Sequence, residues 1–148
     1  MKTWTRMLTL IAALGMFATV AEARDDLGDY SIKEAMSHSD WKDKVRSDIR
    51  LYFGSQKHPI VKESFGTYST NKKTNAFNKS DKLACEWAFL SSIIQLQKRA
   101  AQLGANAVIN IKSNHDRRET SSRKTFKCAA GNVIAGVALK GTVVKIRK

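Results

Sequence analysis

The chain has 148 residues, with 26 Lys and Arg against 13 Asp and Glu, a formal net charge of +13 at pH 7. That length holds one ordinary core and leaves no room for several, and the charge favours anionic partners over acidic-surface chemistry. Two cysteines with no CxxC pair and no neighbouring histidine are too few to hold a structural zinc, so no metal is expected.

Lys2 and Arg6 precede an apolar stretch from Met7 to Val20 that closes on Ala21-Glu22-Ala23. A positive end, an apolar run shorter than the roughly 20 residues a membrane-spanning helix needs, and a small-x-small cleavage site make residues 1–23 a secretory signal peptide. Its removal leaves a single α+β domain, residues 24–148, in the periplasm, with a charge of +12 after the leader's +1 is taken away. No cysteine follows the cleavage site, so no lipid anchor is expected, and no transmembrane span is visible. In that compartment thiols oxidise. Cys85 and Cys128 are expected to join across a loop of 44 residues counted inclusively, with a loop-entropy contribution on the order of 4 kcal/mol.

Ser31-Ile32-Lys33-Glu34 has capping-box order and predicts a short helix over Ser31 to Met36. Ile49, Leu51 and Phe53 alternate with Arg50 and Tyr52 as a half-buried strand, and Val61 to Tyr68 reads as a second strand paired with it. Ser69 to Ser80, rich in Asn and small hydroxyl residues, reads as a loop. Ser80 or Asp81 caps one long helix that runs to about Leu103 and stops at Gly104. Its apolar arc covers more than half the circumference, so more than one surface must cover it, and Cys85 sits at the edge of that arc. Ala105 to Lys112 is a third strand and Ser113 to Ser122 a polar hairpin connection. Arg123 to Ala130 returns with Phe126 and Cys128 on one face, and Val133 to Ile146 closes the chain, with Gly136 and Gly141 as candidate bulges. The sum is a β-β-α-β-β sheet with the helix on one face, preceded by the short N-terminal helix.

Candidate chemistry is sparse. Gly131 and Gly136 have phosphate-loop spacing, but Val137 and Ala138 stand where the lysine and hydroxyl residue belong, so no nucleotide cofactor is expected. His38, His58 and His115 are scattered, and Cys85 tied to Cys128 has no free thiolate, so no catalytic residue is assigned. Glu86 and Gln97 project into the helix's apolar arc. The alternatives are a buried polar site, or a first-turn Glu serving the helix dipole with Gln97 tying down a loop. Asn71, Asn75 and Glu86 form the candidate polar site. Lys72, Lys73 and Lys79, with Arg117, Arg118, Arg123 and Lys124, form the candidate anion-binding set, with Tyr68 and Phe77 available to stack on a ring.

Residues Thr70 to Gly141 resemble a family of small exported proteobacterial proteins without an established function. The resemblance lies in Thr70-Asn71-Lys72-Lys73-Thr74-Asn75-Ala76-Phe77-Asn78-Lys79, Cys85-Glu86-Trp87-Ala88-Phe89-Leu90, Leu96-Gln97-Lys98-Arg99-Ala100 and Ala135-Gly136-Val137-Ala138-Leu139-Lys140-Gly141. Some members are called an excinuclease subunit, a name the missing phosphate loop and zinc cysteines do not support. More remotely, Ala100 to Ile111 is similar to the helix-to-strand junction of YbjQ-type domains and of the outer-membrane stress-sensor lipoprotein of the Rcs system. That similarity implies the β-β-α-β-β sheet and a sensing or binding role, and leaves oligomerisation through sheet edges open. The expected function is an exported envelope-binding or stress-related module without catalytic activity, its partner an anionic envelope component or an envelope protein. The alternatives are an enzyme acting on envelope polymers and a nucleic-acid-binding protein, the latter disfavoured by export.

Overall fold

The computed structural model describes residues 24–148; the signal-peptide reading of residues 1–23 falls outside the described residues. The chain runs β1 (Asp26–Ser31), a five-residue helical turn α1 (Ile32–Met36), a 3-10 turn (Ser39–Trp41), β2 (Arg50–Phe53), β3 (Val61–Asn75) and α2 (Asp81–Gln102). It finishes with β4 (Ala107–His115), β5 (Arg118–Thr120), β6 (Thr125–Ala130) and β7 (Ile134–Ile146).

The expected α+β class with a four-stranded β-β-α-β-β sheet is corrected by this arrangement. Of the described residues, strands make up 45% and helices 24%, and the sheet is mixed, curled and seven-stranded. A strand, not a short helix, leads the described residues; the capping serine Ser31 ends that strand, and its Oγ accepts from the Glu34 amide at 3.3 Å.

The sheet is organised by β7. One side of β7 pairs antiparallel with β3 from Asn75↔Ile134 to Val61↔Ile146. Its other side pairs first with β6 at Ala135 and Gly136, then with β4 from Leu139 to Val144. β1 extends β6, β2 lies parallel to β4, and β5 folds back on the end of β4. Two sequence expectations fail here. The strand at Val61 pairs with the last strand rather than with Arg50–Phe53, and it continues through Asn75 where a loop was expected. The reason is tertiary: a partner strand of matching length supplies a ladder to Ser, Thr, Asn and Lys residues that alone would turn. Their polar side chains also suit β3, which pairs only with β7 and so lies at an edge.

The curl has a local origin. Between Ile109↔Thr142 and Lys112↔Lys140, β4 advances three residues while β7 advances two, and the extra residue, Asn110, has φ +52°. Gly141 lies opposite. A Cβ there would stand 2.7 Å from Val108 Cγ1, so the glycine makes room for the β4 bulge, whereas Gly136 holds an ordinary ladder position.

α2 begins as expected. Ser80 Oγ accepts from the Leu83 amide at 3.2 Å, and Gly104 at φ +72° ends the helix. The helix lies on one face of the sheet and buries Phe89, Leu90, Ile93 and Leu96 completely. Phe89 stacks on Phe126 at 4.1 Å between centroids, and Tyr30 and Phe53 extend the aromatic group. Cys85 joins Cys128 beside this stack, with a Cα separation of 5.8 Å and neither residue exposed. Ser92 on the same helix is also buried, and its hydroxyl donates to the Val137 carbonyl at 2.9 Å. Among the described residues no helix is long and apolar enough to cross a membrane.

Candidate functional site

Strand alternation divides the polar residues of β3. Tyr68 packs on the core and Thr70 is buried, so Lys72 and Thr74 follow them on the helix-facing side. Thr67, Ser69, Asn71, Lys73 and Asn75 take the other face; Thr67 Oγ1 meets Thr142 Oγ1 there at 3.0 Å.

On that helix-free face the curled sheet forms an open groove of about 970 Å³. Small residues make its floor: Ala129, Gly136 and Ala138. Ser69, Asn71 and Lys73 line it from β3, Asn114 and His115 from β4, and Asn132 and Val133 from the turn before β7. Asp116 and Arg117 line it from the turn after β4, and Arg24, beside Gly131, and Asp25 line it as well.

The cations of the groove are not equivalent. Arg24 is bound to Asp26 and Asp81, and these hydrogen bonds, that to Asp26 first, raise its pKa above the usual arginine value. Lys73 and Arg117 make no ion pair among the described residues. The carboxylate of Asp116 lies 3.3 Å from His115 Nε2 and is 80% exposed. Asp116 at φ +48° and Arg117 at φ +63° form a two-residue turn between β4 and β5, a left-handed pair for which Asn-Gly is the favoured sequence. An arginine at the second position is held against its own backbone preference, by about 1 kcal/mol or more.

Of the candidate anion-binding set, the groove gathers Lys73 and Arg117. Lys72 lies on the opposite face. Lys79 sits in the turn before α2, its Nζ donating to the Asn75 carbonyl at 2.9 Å. Arg118 pairs with His115 across the hairpin without lining the groove. Arg123 and Lys124 do not line the groove, and the Lys124 carbonyl accepts from the Ile32 amide. Tyr68 and Phe77 are not partners: Arg99 lies over the Tyr68 ring at 5.1 Å on the helix side, and Phe77 is exposed.

The polar trio is likewise divided. Asn71 lines the groove, and Asn75 accepts from the Phe77 amide at 2.8 Å. Glu86 is buried on the far side of the sheet, with Lys82 Nζ at 2.6 Å from Oε1 and His38 Nε2 at 2.7 Å from Oε2. Hydrogen bonding to Glu86, then to Glu34, raises the Lys82 pKa. Gln97 does tie down a loop. Its Oε1 accepts from the Arg46 amide at 2.8 Å, and its Nε2 donates to the carbonyls of Arg46 and Ile49 at 2.8 and 2.9 Å. With Trp41 packed on Trp87 at 4.6 Å, Glu86 and Gln97 clamp residues 38–49 onto the helix. The carboxylate and the two asparagines share no cleft.

Sequence reasoning missed Arg24, Ser69, Asn114 and Asn132 as groove residues. Period-two alternation from Thr67 onward carried the signal for Ser69, and a Lys-Lys pair inside a strand necessarily splits between faces. No cluster of three or more metal-ligating side chains occurs among the described residues. No family model, characterised protein or solved structure matches the chain.

Proposed function

We propose that the protein is exported by its first 23 residues and serves in the periplasm as a non-catalytic envelope-binding module. Its ligand is an anionic envelope component, taken in the groove on the helix-free face. A buried cystine supports the oxidising compartment, since a disulfide of this kind persists outside the cytosol. The observation that carries the site is Arg117: a residue in a left-handed turn, where glycine would be unstrained, lines the groove together with Lys73, and neither makes an ion pair among the described residues. Asn71, Asn114 and Asn132 add amide donors and acceptors suited to hydroxyl and phosphate oxygens. Membership of the small exported family resembled by Thr70–Lys79 fits the same reading.

Titration with glycerol 1-phosphate, followed through backbone amide shifts, tests it. The expected perturbations fall on Asn71, Lys73, Asn114 and Arg117, and K73Q/R117Q weakens binding by about tenfold for each charged contact removed. Perturbations centred on Arg123 and Lys124 would place the anion elsewhere.

A further inference from the structure

Among the described residues five large apolar side chains are exposed, Leu27, Ile60, Phe77, Val133 and Ile134, and three of them converge at one place. Phe77 is 62% exposed, Val133 61% and Ile134 52%, and they line a single shallow hollow with Lys73, Thr74 and Asn75. The Ala76 amide donates to the Val133 carbonyl at 2.7 Å, which fixes the turn bearing Phe77 against the start of β7. A small domain gains no stability from leaving three such side chains together in water, and a grouped apolar patch marks a binding surface.

This hollow is continuous with the groove. Lys73, Val133 and Ile134 line both. The Lys73 stem passes over Gly136, where a Cβ would meet Lys73 Cγ at an ordinary contact distance of 3.6 Å. Lys73 thus belongs to both the apolar shelf and the amide-lined groove, and Arg117 to the groove alone.

We infer that the ligand is an amphiphile, an acylated molecule with a phosphate-bearing headgroup. The headgroup sits in the groove between Lys73 and Arg117, and an acyl chain lies on Phe77, Val133 and Ile134. This rests on the anion-binding reading and adds to it the apolar half of the ligand. Charge complementarity fixes one end of such a molecule and the shelf the other; a free phosphate would use the groove alone, and a neutral lipid the shelf alone.

Co-sedimentation with phosphatidylglycerol–phosphatidylcholine vesicles, set beside titration with water-soluble glycerol 1-phosphate, tests the inference on the intact exported protein. F77S alters a single exposed side chain that lines the hollow and not the groove. It is expected to lose vesicle affinity by about tenfold or more while keeping its glycerol 1-phosphate affinity. K73Q/R117Q is expected to lose both. Equal vesicle binding by the apolar variant and the parent would overturn the amphiphile and leave the anion site standing, as would a parent that binds glycerol 1-phosphate and no vesicles. Unchanged glycerol 1-phosphate binding by K73Q/R117Q would remove the anion site and the amphiphile with it.

Discussion

Lys72 and Lys73, adjacent in the chain, stand on opposite faces of the sheet, because both lie within the regular part of β3. Their substitutions should therefore separate cleanly. K73Q is expected to weaken anion binding by about tenfold, and K72Q to leave it unchanged; equal losses in a titration with glycerol 1-phosphate would show that bulk charge, not the groove, attracts the anion.

Arg117→Gly relieves a left-handed residue at φ +63°. The variant is expected to be more stable than the parent by about 1 kcal/mol in urea denaturation, and to bind the anion less tightly. Stability gained with affinity lost is the signature of a residue kept for its charge. A less stable R117G would mean that the side chain supports the hairpin.

Gln97→Leu keeps approximate volume and removes every hydrogen bond to the segment before β2. The Arg46 amide and the carbonyls of Arg46 and Ile49 lose their partner, at about 3 kcal/mol in total. Denaturant titration measures the loss, and hydrogen exchange should show earlier opening around residues 46–49. An unchanged midpoint would show that water replaces the amide.

Cys85→Ala with Cys128→Ala removes the bridge from α2 to β6. The loss expected is on the order of 4 kcal/mol, from release of the unfolded chain's closed loop. Alkylation of the protein denatured without reductant should label neither cysteine. Labelling of both would show that the bridge does not form.

Glu119 lies between Lys112 Nζ at 2.7 Å and Lys140 Nζ at 2.6 Å, and hydrogen bonds to those ammonium groups, that of Lys112 first, lower its pKa from 4.5 to about 2. A carboxylate held below its unfolded value stabilises the fold above pH 4.5, and this contribution is lost as pH falls through about 2. E119Q should unfold at lower urea than the parent near neutral pH, and the two should converge in acid. Parallel curves across that window would assign the ion pairs no role in stability.

The helix and its cystine were legible because their signals are local: a capping serine, a wide apolar arc, a terminating glycine, and a Cys128 that alternates with Phe126. β1 was not, since Asp26–Ser31 mixes two aspartates and a glycine and is a strand only because β6 offers it a ladder. The same holds for Ser69 to Asn75, where β7 imposes an extended backbone on turn-forming residues. The groove was illegible for a related reason. Arg117 and Lys73 are 44 positions apart, and only the register of β3, β7 and β4 brings them to one surface; composition gave the sign of the charge but not which of seven candidate cations would meet.

The two cysteines have no exposed surface, and that imposes a sequence of events on the newly made chain. An oxidising enzyme must reach the thiols while the helix is still undocked, because the finished interior admits neither an oxidase nor a reductant. A chain that packs before it is oxidised would be sealed in its dithiol form, and one oxidised first keeps its bridge out of reach of any reductant for as long as it stays folded.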